Sequence, residues 1–403
     1  MFTYYCANQN KPTKIYRTLI EPYEKMIGKN FCKRKTIFED TPDKTENNIL
    51  VVPLEPSEAF GNSEFEYWSY IQYGLDHGMK IYIDYSWEYM DCCNKKSKYF
   101  WLKHRKYLEE NNIKIITQYW PSSAISHTWD VSLSKIAHSI NMFEYNMRIC
   151  HEMHNLDYRI KTAPSQKKKH LVNFIPGEIR KYPACLMLQS LFETLEEKDI
   201  FYSSIIGEYY NKSFMDWDNW EHIAHTYHGS FSNRGKSLFE RAFKNKAELL
   251  QHKPFELLYG DSGDIIDSMN IKERRIPQGV YDSHCSVISE CSWHAHFYTE
   301  KTWKHVMAEM PFIIHASAGI NEGITQFGYE LYDEVFDYNF NDKYHPNIEQ
   351  SHWCIVDNIN NLKDNRSVFD SPSVKDKTRL NRDNLLRRTT LDRFIKEIEN
   401  LIG

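Results

Sequence analysis

The stretch SVISECSWHAHFYTEKTWKHVMAEMPFIIHASAG, residues 286–319, gathers residue types suited to handling a phosphate. Trp303, Val306, Met307 and Met310 recur at i, i+3, i+4 and i+7, which makes one apolar face of a helix over residues 299–310. Thr299 stands where an N-cap would stand. The start of such a helix offers main-chain N–H groups and a partial positive charge, both suited to a diphosphate. Lys301 adds an ammonium in the first turn, where the helix macrodipole disfavours a cation; a bound anion would explain it. Glu300 is placed to accept two ribose hydroxyls, as acidic residues do in dinucleotide sites. Glu290 closes an apolar strand at its carboxyl end, where ligands of open parallel sheets bind. Each has a plainer alternative: Glu300 as a dipole partner, Lys301 as a solvated charge, Glu290 as half of an ion pair. Together they point to a phosphate-bearing ligand.

The same segment resembles the donor-binding part of the fucosyltransferase-like glycosyltransferases, a GT-B family. There, a strand ending in Glu is followed by a Thr-Glu-Lys helix and a Pro-led strand. It looks closer still to uncharacterised phage and bacterial proteins sharing a Thr-Glu-Lys-Thr-Trp-Lys helix and a Pro-Phe-Ile-Ile strand. Here these are Thr299 to Lys304 and Pro311 to Ile314. The resemblance implies that Glu300 binds a nucleotide ribose and Lys301 a diphosphate, with Thr299, Lys304 and Glu290 in the same donor site. It also implies a basic residue after the first strand of the second domain. In LVNFIPGEIRKYP that is Arg180, alternatively Lys181, where a guanidinium could clamp phosphates bidentately. The strand reads Ser-Glu-Cys and not Glu-Asn-Ser, so the sugar and the nucleotide are not carried over.

A transferase that inverts its sugar needs a carboxylate to deprotonate the acceptor hydroxyl. Three candidates lie at strand ends in the first part of the chain: Glu55, Asp84 and Glu88. A cationic site can stabilise a leaving diphosphate electrostatically, so no obligatory metal is expected; the nucleotide-diphosphate sugar is the donor substrate. Metal motifs are weak. HEMH at 151–154 lacks an i, i+4 histidine pair, and Cys285, Cys291, His294 and His296 contain no C-x-x-C. His294 and His296 are close enough to Glu300 in the chain to line the donor site. GSFSNRGKS at 229–237 has five residues between its glycines where a phosphate loop needs four, and reads as a loop capping a helix from about Ser237. Trp217, Trp220, Tyr227 and Phe231 read as packing more readily than as a stacking platform.

The elements that must position these residues alternate. Strands are expected over 49–52, 80–85 and 113–117, with helices over 64–77 and about 99–110, then a helical region over 131–155. The polar, basic segment 161–170 reads as a linker. The pattern restarts with strands over 170–175, 200–205, 285–289 and 311–316, and helices over 183–195 and 299–310. A helical insertion is expected over about 209–280 and a helical tail over 376–403. This predicts an α/β protein with two Rossmann-like domains facing a cleft, GT-B-like, divided as residues 1–165 for the acceptor and 166–403 for the nucleotide sugar.

The chain has 403 residues, a formal net charge of −5 and 15% aromatic residues, which argues against disorder and against a dedicated nucleic-acid binder. Nine cysteines without regular spacing point to a reducing compartment. No signal-peptide pattern or membrane-length apolar run stands out, so a cytoplasmic protein without a membrane partner is expected, in the host cytoplasm if the chain is viral. The expected partner is a sugar nucleotide; the acceptor is a modified DNA base, a glycan or a protein. The tri-lysine at 167–169 and the cluster at 33–35 favour DNA weakly. The alternative class is a non-catalytic nucleotide-binding or virion-associated protein that keeps the fold.

Overall fold

The computed structural model describes residues 2–7, 13–30, 32–38, 41–42, 47–59, 61, 63–86, 100–118, 135–156, 167–175, 182–202, 232–245, 276–290, 297–316, 319–338 and 348–402. The chain divides into two compact units. One comprises residues 1–153 and 387–403, the other residues 154–386.

The first unit carries a six-stranded sheet. Its strands are β1 (Phe2–Cys6), β2 (Cys32–Thr36), β3 (Asn48–Pro53), β4 (Lys80–Tyr85), β5 (Lys114–Gln118) and β6 (Ala137–Ile140). Every pairing is parallel, in the order β2-β1-β3-β4-β5-β6. A parallel sheet must be covered on both faces. The alternation of side chains along β3 shows how: Ile49 and Val51 enter one core, Leu50 and Val52 the other. Because both faces are buried, the strand reads as one apolar run. α1 (Glu21–Ile27), preceded by a π turn at Tyr16–Ile20, supplies Leu19 and Tyr23 to the first core. α2 (Trp68–Asp76) and α3 (Phe100–Glu110) supply Ile71, Trp101 and Leu108 to the second. α4 (Met142–Leu156) contributes Met142, Tyr145 and Ile149 to the first.

The second unit has four parallel strands: β7 (His170–Phe174), β8 (Ile200–Tyr202), β9 (Ser283–Ser289) and β10 (Phe312–His315), in the order β10-β9-β7-β8. Its helices include α5 (Tyr182–Thr194), α6 (Asn233–Lys244), α7 (Glu300–Met307), α8 (Ile348–Leu362) and α9 (Pro372–Arg388). α5 packs against α6 and α8. Arg241 binds Glu193 through two nitrogens at 2.6 and 2.9 Å, and Ser190 Oγ meets His352 Nε2 at 2.9 Å. Most of the expected insertion lies outside the described residues; within it, α6 and a short helix at Gln278–Tyr281 are seen. α6 starts at Asn233, earlier than the expected Ser237, and the Ser232 hydroxyl accepts the Gly235 N–H at 3.2 Å.

Three differences from the expected elements are physical. β1 and β2 precede the first strand anticipated from sequence; β2 reads CKRKT, an edge strand whose charges mask it. β6 lies inside the region expected to be helical. The tail is two helices separated at Thr389 and Thr390, and the second, α10 (Leu391–Ile402), belongs to the first unit rather than to the second domain. Phe394 and Ile398 complete the first core: the Phe394 ring stacks on Tyr23 at 4.3 Å, and the Tyr23 hydroxyl donates to the Thr389 carbonyl at 3.0 Å. Burying a phenyl ring this way contributes roughly 1.5–3 kcal/mol.

Arg388 Nε donates to the buried Glu144 carboxylate at 2.9 Å, and Nη2 reaches its other oxygen at 3.4 Å. Glu397, on the same side of α10, is left with one carboxyl oxygen lacking a hydrogen-bond partner among the described residues. Burial pushes its carboxyl up to about 7; the Glu144 charge adds to this, while the Tyr145 hydrogen bond, Arg388 and Arg393 oppose it. A raised acid binds its proton more tightly folded than unfolded. The stability that Glu397 contributes is therefore fully present below the ordinary glutamate range and is lost as pH rises through about 7. Glu397→Gln should raise stability at alkaline pH by roughly 2 kcal/mol and give no gain in acid. Urea midpoints at both pH values would measure it, and an equal effect at both would exclude a buried neutral carboxyl.

Candidate functional site

In the second unit, strand order reverses between β7 and β9, because β8 lies on one side of β7 and β9 and β10 on the other. The crevice beyond the carboxyl ends of such a pair is where ligands of open parallel sheets bind. Glu290 directly follows β9, and α7 begins at Glu300. The residues chosen from sequence thus fall at the switch point of this sheet.

Thr299 is the N-cap of α7, in an extended conformation (φ −102°, ψ −172°), and its hydroxyl accepts the Lys301 N–H at 3.3 Å. Glu290 reaches the same end. Its carboxylate accepts the Thr299 N–H at 2.9 Å, the Thr299 hydroxyl at 2.7 Å and the Thr302 hydroxyl at 2.6 Å. The Glu290 side chain is 0% exposed. Thr299 and Thr302 lie three apart, so both hydroxyls face one side of the first turn. The anion observed at this helix start is therefore the protein's own carboxylate, where the sequence suggested a diphosphate.

Lys301 lies over this cluster with its side chain 11% exposed. Its ammonium is 3.1 Å from the Thr299 hydroxyl, 3.4 Å from a Glu300 oxygen and 3.9 Å from a Glu290 oxygen. The macrodipole's penalty on a first-turn cation is offset by these two carboxylates. Glu300 keeps its side chain 23% exposed, on the solvent side of the group. Lys304 is buried. Arg180, Lys181, Cys291, His294 and His296 lie outside the described residues, as do Trp217, Trp220, Tyr227 and Phe231.

Sequence reasoning missed the layer below. His305 Nδ1 meets the Lys301 carbonyl at 2.6 Å, and its Nε2 meets Asn173 Oδ1 at 2.9 Å. Asn173 Nδ2 donates to the Cys285 carbonyl at 3.0 Å and to Ser286 Oγ at 2.6 Å. Full burial pushes His305 down to about 3. A neutral ring has a single N–H, so it donates to the Lys301 carbonyl or to Asn173 Oδ1 and not to both. The i, i+4 spacing of Lys301 and His305 was the available signal; the partner on β7 was not visible in sequence.

In the first unit, Asp84 is the next-to-last residue of β4 and is buried. Its carboxylate accepts the Ile15 N–H at 2.8 Å, the Ser86 N–H at 3.1 Å and the Ser86 hydroxyl at 2.6 Å. It holds the start of the first helical segment and is not poised as a base. Glu55 follows β3 with its side chain 57% exposed, 4.0 Å from Lys14. Its N–H is held by Glu58 at 2.8 Å, a capping-box arrangement at the short helix Pro56–Ala59. Glu88 lies outside the described residues.

Among the described residues no group of histidine, cysteine and acidic side chains is placed to hold a metal ion, and no helix is long and apolar enough to cross a membrane. Elsewhere in the second unit, Glu322, Asp333, Glu334 and Asp337 border a cavity of about 760 Å3, whose charge would repel a diphosphate. Comparison with models of known protein families and with curated proteins finds no match.

The Glu290 contacts make a stability prediction. Glu290→Ala leaves an N–H and two hydroxyls without their acceptor in a buried place, and should cost about 3 kcal/mol. Glu290→Gln keeps a carbonyl oxygen for them and should cost about half as much. Chemical denaturation without added nucleotide measures both; wild-type stability in the alanine variant would show that this carboxylate does not hold the helix.

Proposed function

We propose that the chain is a sugar-nucleotide-dependent glycosyltransferase whose donor diphosphate lies beyond the carboxyl ends of β7 and β9. The observation that carries this reading is the coincidence of the strand-order reversal with the Thr299–Lys301 helix start and its partly buried ammonium. Glu290 and Thr302 act here as positioning residues, and the groups offered to the ligand are Glu300 and Lys301. An incoming phosphate exchanges with the Glu300 carboxylate for the ammonium and frees that carboxylate to accept ribose hydroxyls. In the transfer step, charge developing on the leaving diphosphate is stabilised by a cation already fixed in place. An inverting transfer also needs a carboxylate to take the acceptor's proton; of the described candidates Glu55 is exposed, whereas Asp84 is buried and accepts three hydrogen bonds. The GT-B arrangement, the cytoplasmic location and the acceptor classes named above belong to this proposal. A non-catalytic nucleotide-binding protein is the second reading, favoured by the structural use of Asp84.

Lys301→Ala should weaken binding of uridine or guanosine diphosphate by tenfold or more, the loss expected for a charge-assisted hydrogen bond. Glu300→Ala should weaken the nucleoside diphosphate but not pyrophosphate. Calorimetric titration of folded variants tests both; unchanged affinity would falsify the donor-site assignment. Slow hydrolysis of a sugar nucleotide by the native chain separates the transferase from the non-catalytic reading.

A further inference from the structure

α10 reads LDRFIKEIENLI. Leu391, Phe394, Ile395 and Ile398 recur at i, i+3, i+4 and i+7, so one face of the helix is apolar. Phe394 and Ile398 enter the first core, and Leu391 packs against it. The Phe394 ring meets two others of that core, Tyr23 at 4.3 Å and Tyr145 at 5.4 Å. Docking thus rests on a narrow stripe of side chains, with the Tyr23 hydroxyl on the Thr389 carbonyl just before it. α10 adds no strand to the sheet, whose six strands all lie within residues 2–140. It can leave without breaking a ladder hydrogen bond, the circumstance in which one element opens by itself.

An acid stands in this stripe. Glu397 adjoins Ile398 and lies one turn after Phe394. Its carboxyl bonds the Tyr145 hydroxyl on α4, while Oε2 is buried without a hydrogen-bond partner among the described residues. The acid beside it on α4, Glu144, is better served. Arg388 donates to both its oxygens, at 2.9 and 3.4 Å, and Asn141 Nδ2 adds a donor at 2.8 Å. The guanidinium nearest the two acids is therefore engaged by Glu144. Other charges on the packed elements are Arg393, exposed one turn earlier on α10, and Arg148, half-buried one turn beyond Glu144 on α4. On α1, Glu21 and Lys25 pair with each other at 3.0 Å, and Glu24 accepts the Cys32 N–H at 3.2 Å. A buried carboxyl with one donor, beside an ionised acid, keeps its proton. Burial and the Glu144 charge push Glu397 up to about 7.

We propose that α10 is a proton-controlled strap on the first unit, docked while the Glu397 carboxyl carries its proton and released when that carboxyl ionises. Ionised in place, Glu397 would set a second negative charge against Glu144 with a single hydroxyl to receive it. Released, the carboxylate reaches water. The docked carboxyl holds its proton more tightly than the released one. The preference for docking is therefore fully present below the ordinary glutamate range and is lost as pH rises through about 7. Release bares the Tyr23 and Tyr145 rings that Phe394 meets, and leaves residues 1–153 to hold the first unit alone. The strap lies in the first unit and Lys301 in the second, so this inference stands or falls independently of the donor site.

The test is hydrogen exchange of the full chain, read by mass spectrometry on peptides of α10, β3 and β4 at about pH 6 and about pH 8, with the intrinsic exchange rate divided out. Protection of α10 should fall about tenfold between the two, with β3 and β4 unchanged. Glu397→Gln should give α10 equal protection at both. Glu144→Gln, which removes the opposing charge and frees Arg388, should shrink the pH dependence as well. Protection of α10 that does not change with pH in the native chain overturns the inference, as does the same tenfold fall in a folded Glu397→Gln chain. An equal fall in β3 and β4 also overturns it, because the proton would then govern the whole first unit and not the release of one helix.

Discussion

A carboxylate removed from water must find donors, and a helix start must find acceptors. Glu290 and α7 satisfy each other. One buried side chain takes a main-chain N–H and two hydroxyls, and a partly buried ammonium lies within reach. This fixes the distance and angle between the end of β9 and the start of α7. The position of Lys301 depends on it directly, because the ammonium rests on Thr299, which Glu290 holds. Below, the His305 ring lies between the Lys301 carbonyl of the same turn and Asn173 on β7. The two central strands of the sheet and the helix start are thus joined by one continuous chain of polar contacts. Most of its groups are buried, so a shift in one would disturb the contacts of the others.

The first unit solves the same problem with a different acid. Asp84, next to last in β4, accepts the N–H of Ile15, where the first helical segment starts. In both units, then, an acid at the carboxyl end of a parallel strand anchors a helix start. The physical cause is shared. Strand carboxyl ends and helix amino ends lie on the same side of a β-α-β layer, so acids there lie in the positive field of a helix. A strand-end carboxylate is consequently ambiguous: the field that would hold a ligand's phosphate also holds the side chain.

That ambiguity marks how far the sequence could be followed. Apolar runs such as NILVVP and FIIH announced β3 and β10, because a strand buried on both faces needs no alternation to be recognised. β2 was silent because its residues answer to an edge, with charge outward and one cysteine inward. The tail's 28 or so residues read as helical, which they are, but their destination depended on a ring meeting Tyr23 far away in sequence, and local pattern carries no such information. For the site, Thr299 as an N-cap and the type of each neighbour were legible. The partner of each was not. Glu290 and Asp84 were chosen as chemistry-bearing acids, and their hydrogen bonds show them anchoring helices.

Two further carboxylates differ from these. Glu55 is exposed and Glu300 half-buried, and each lies against a lysine, Lys14 at 4.0 Å and Lys301 at 3.4 Å. The two pairs differ in what surrounds them. Lys14 and Glu55 have side chains 33% and 57% exposed, so water and salt screen their attraction and the pair is loose. Lys301 is nearly enclosed, and Glu290 lies behind it with no exposure at all. A phosphate that displaced Glu300 from Lys301 would meet an ammonium already desolvated and oriented, but would also face the field of Glu290 beneath. An anion reaching Lys301 would therefore compete with a resident carboxylate, and the field of Glu290 sets a cost that rises with the charge that anion carries.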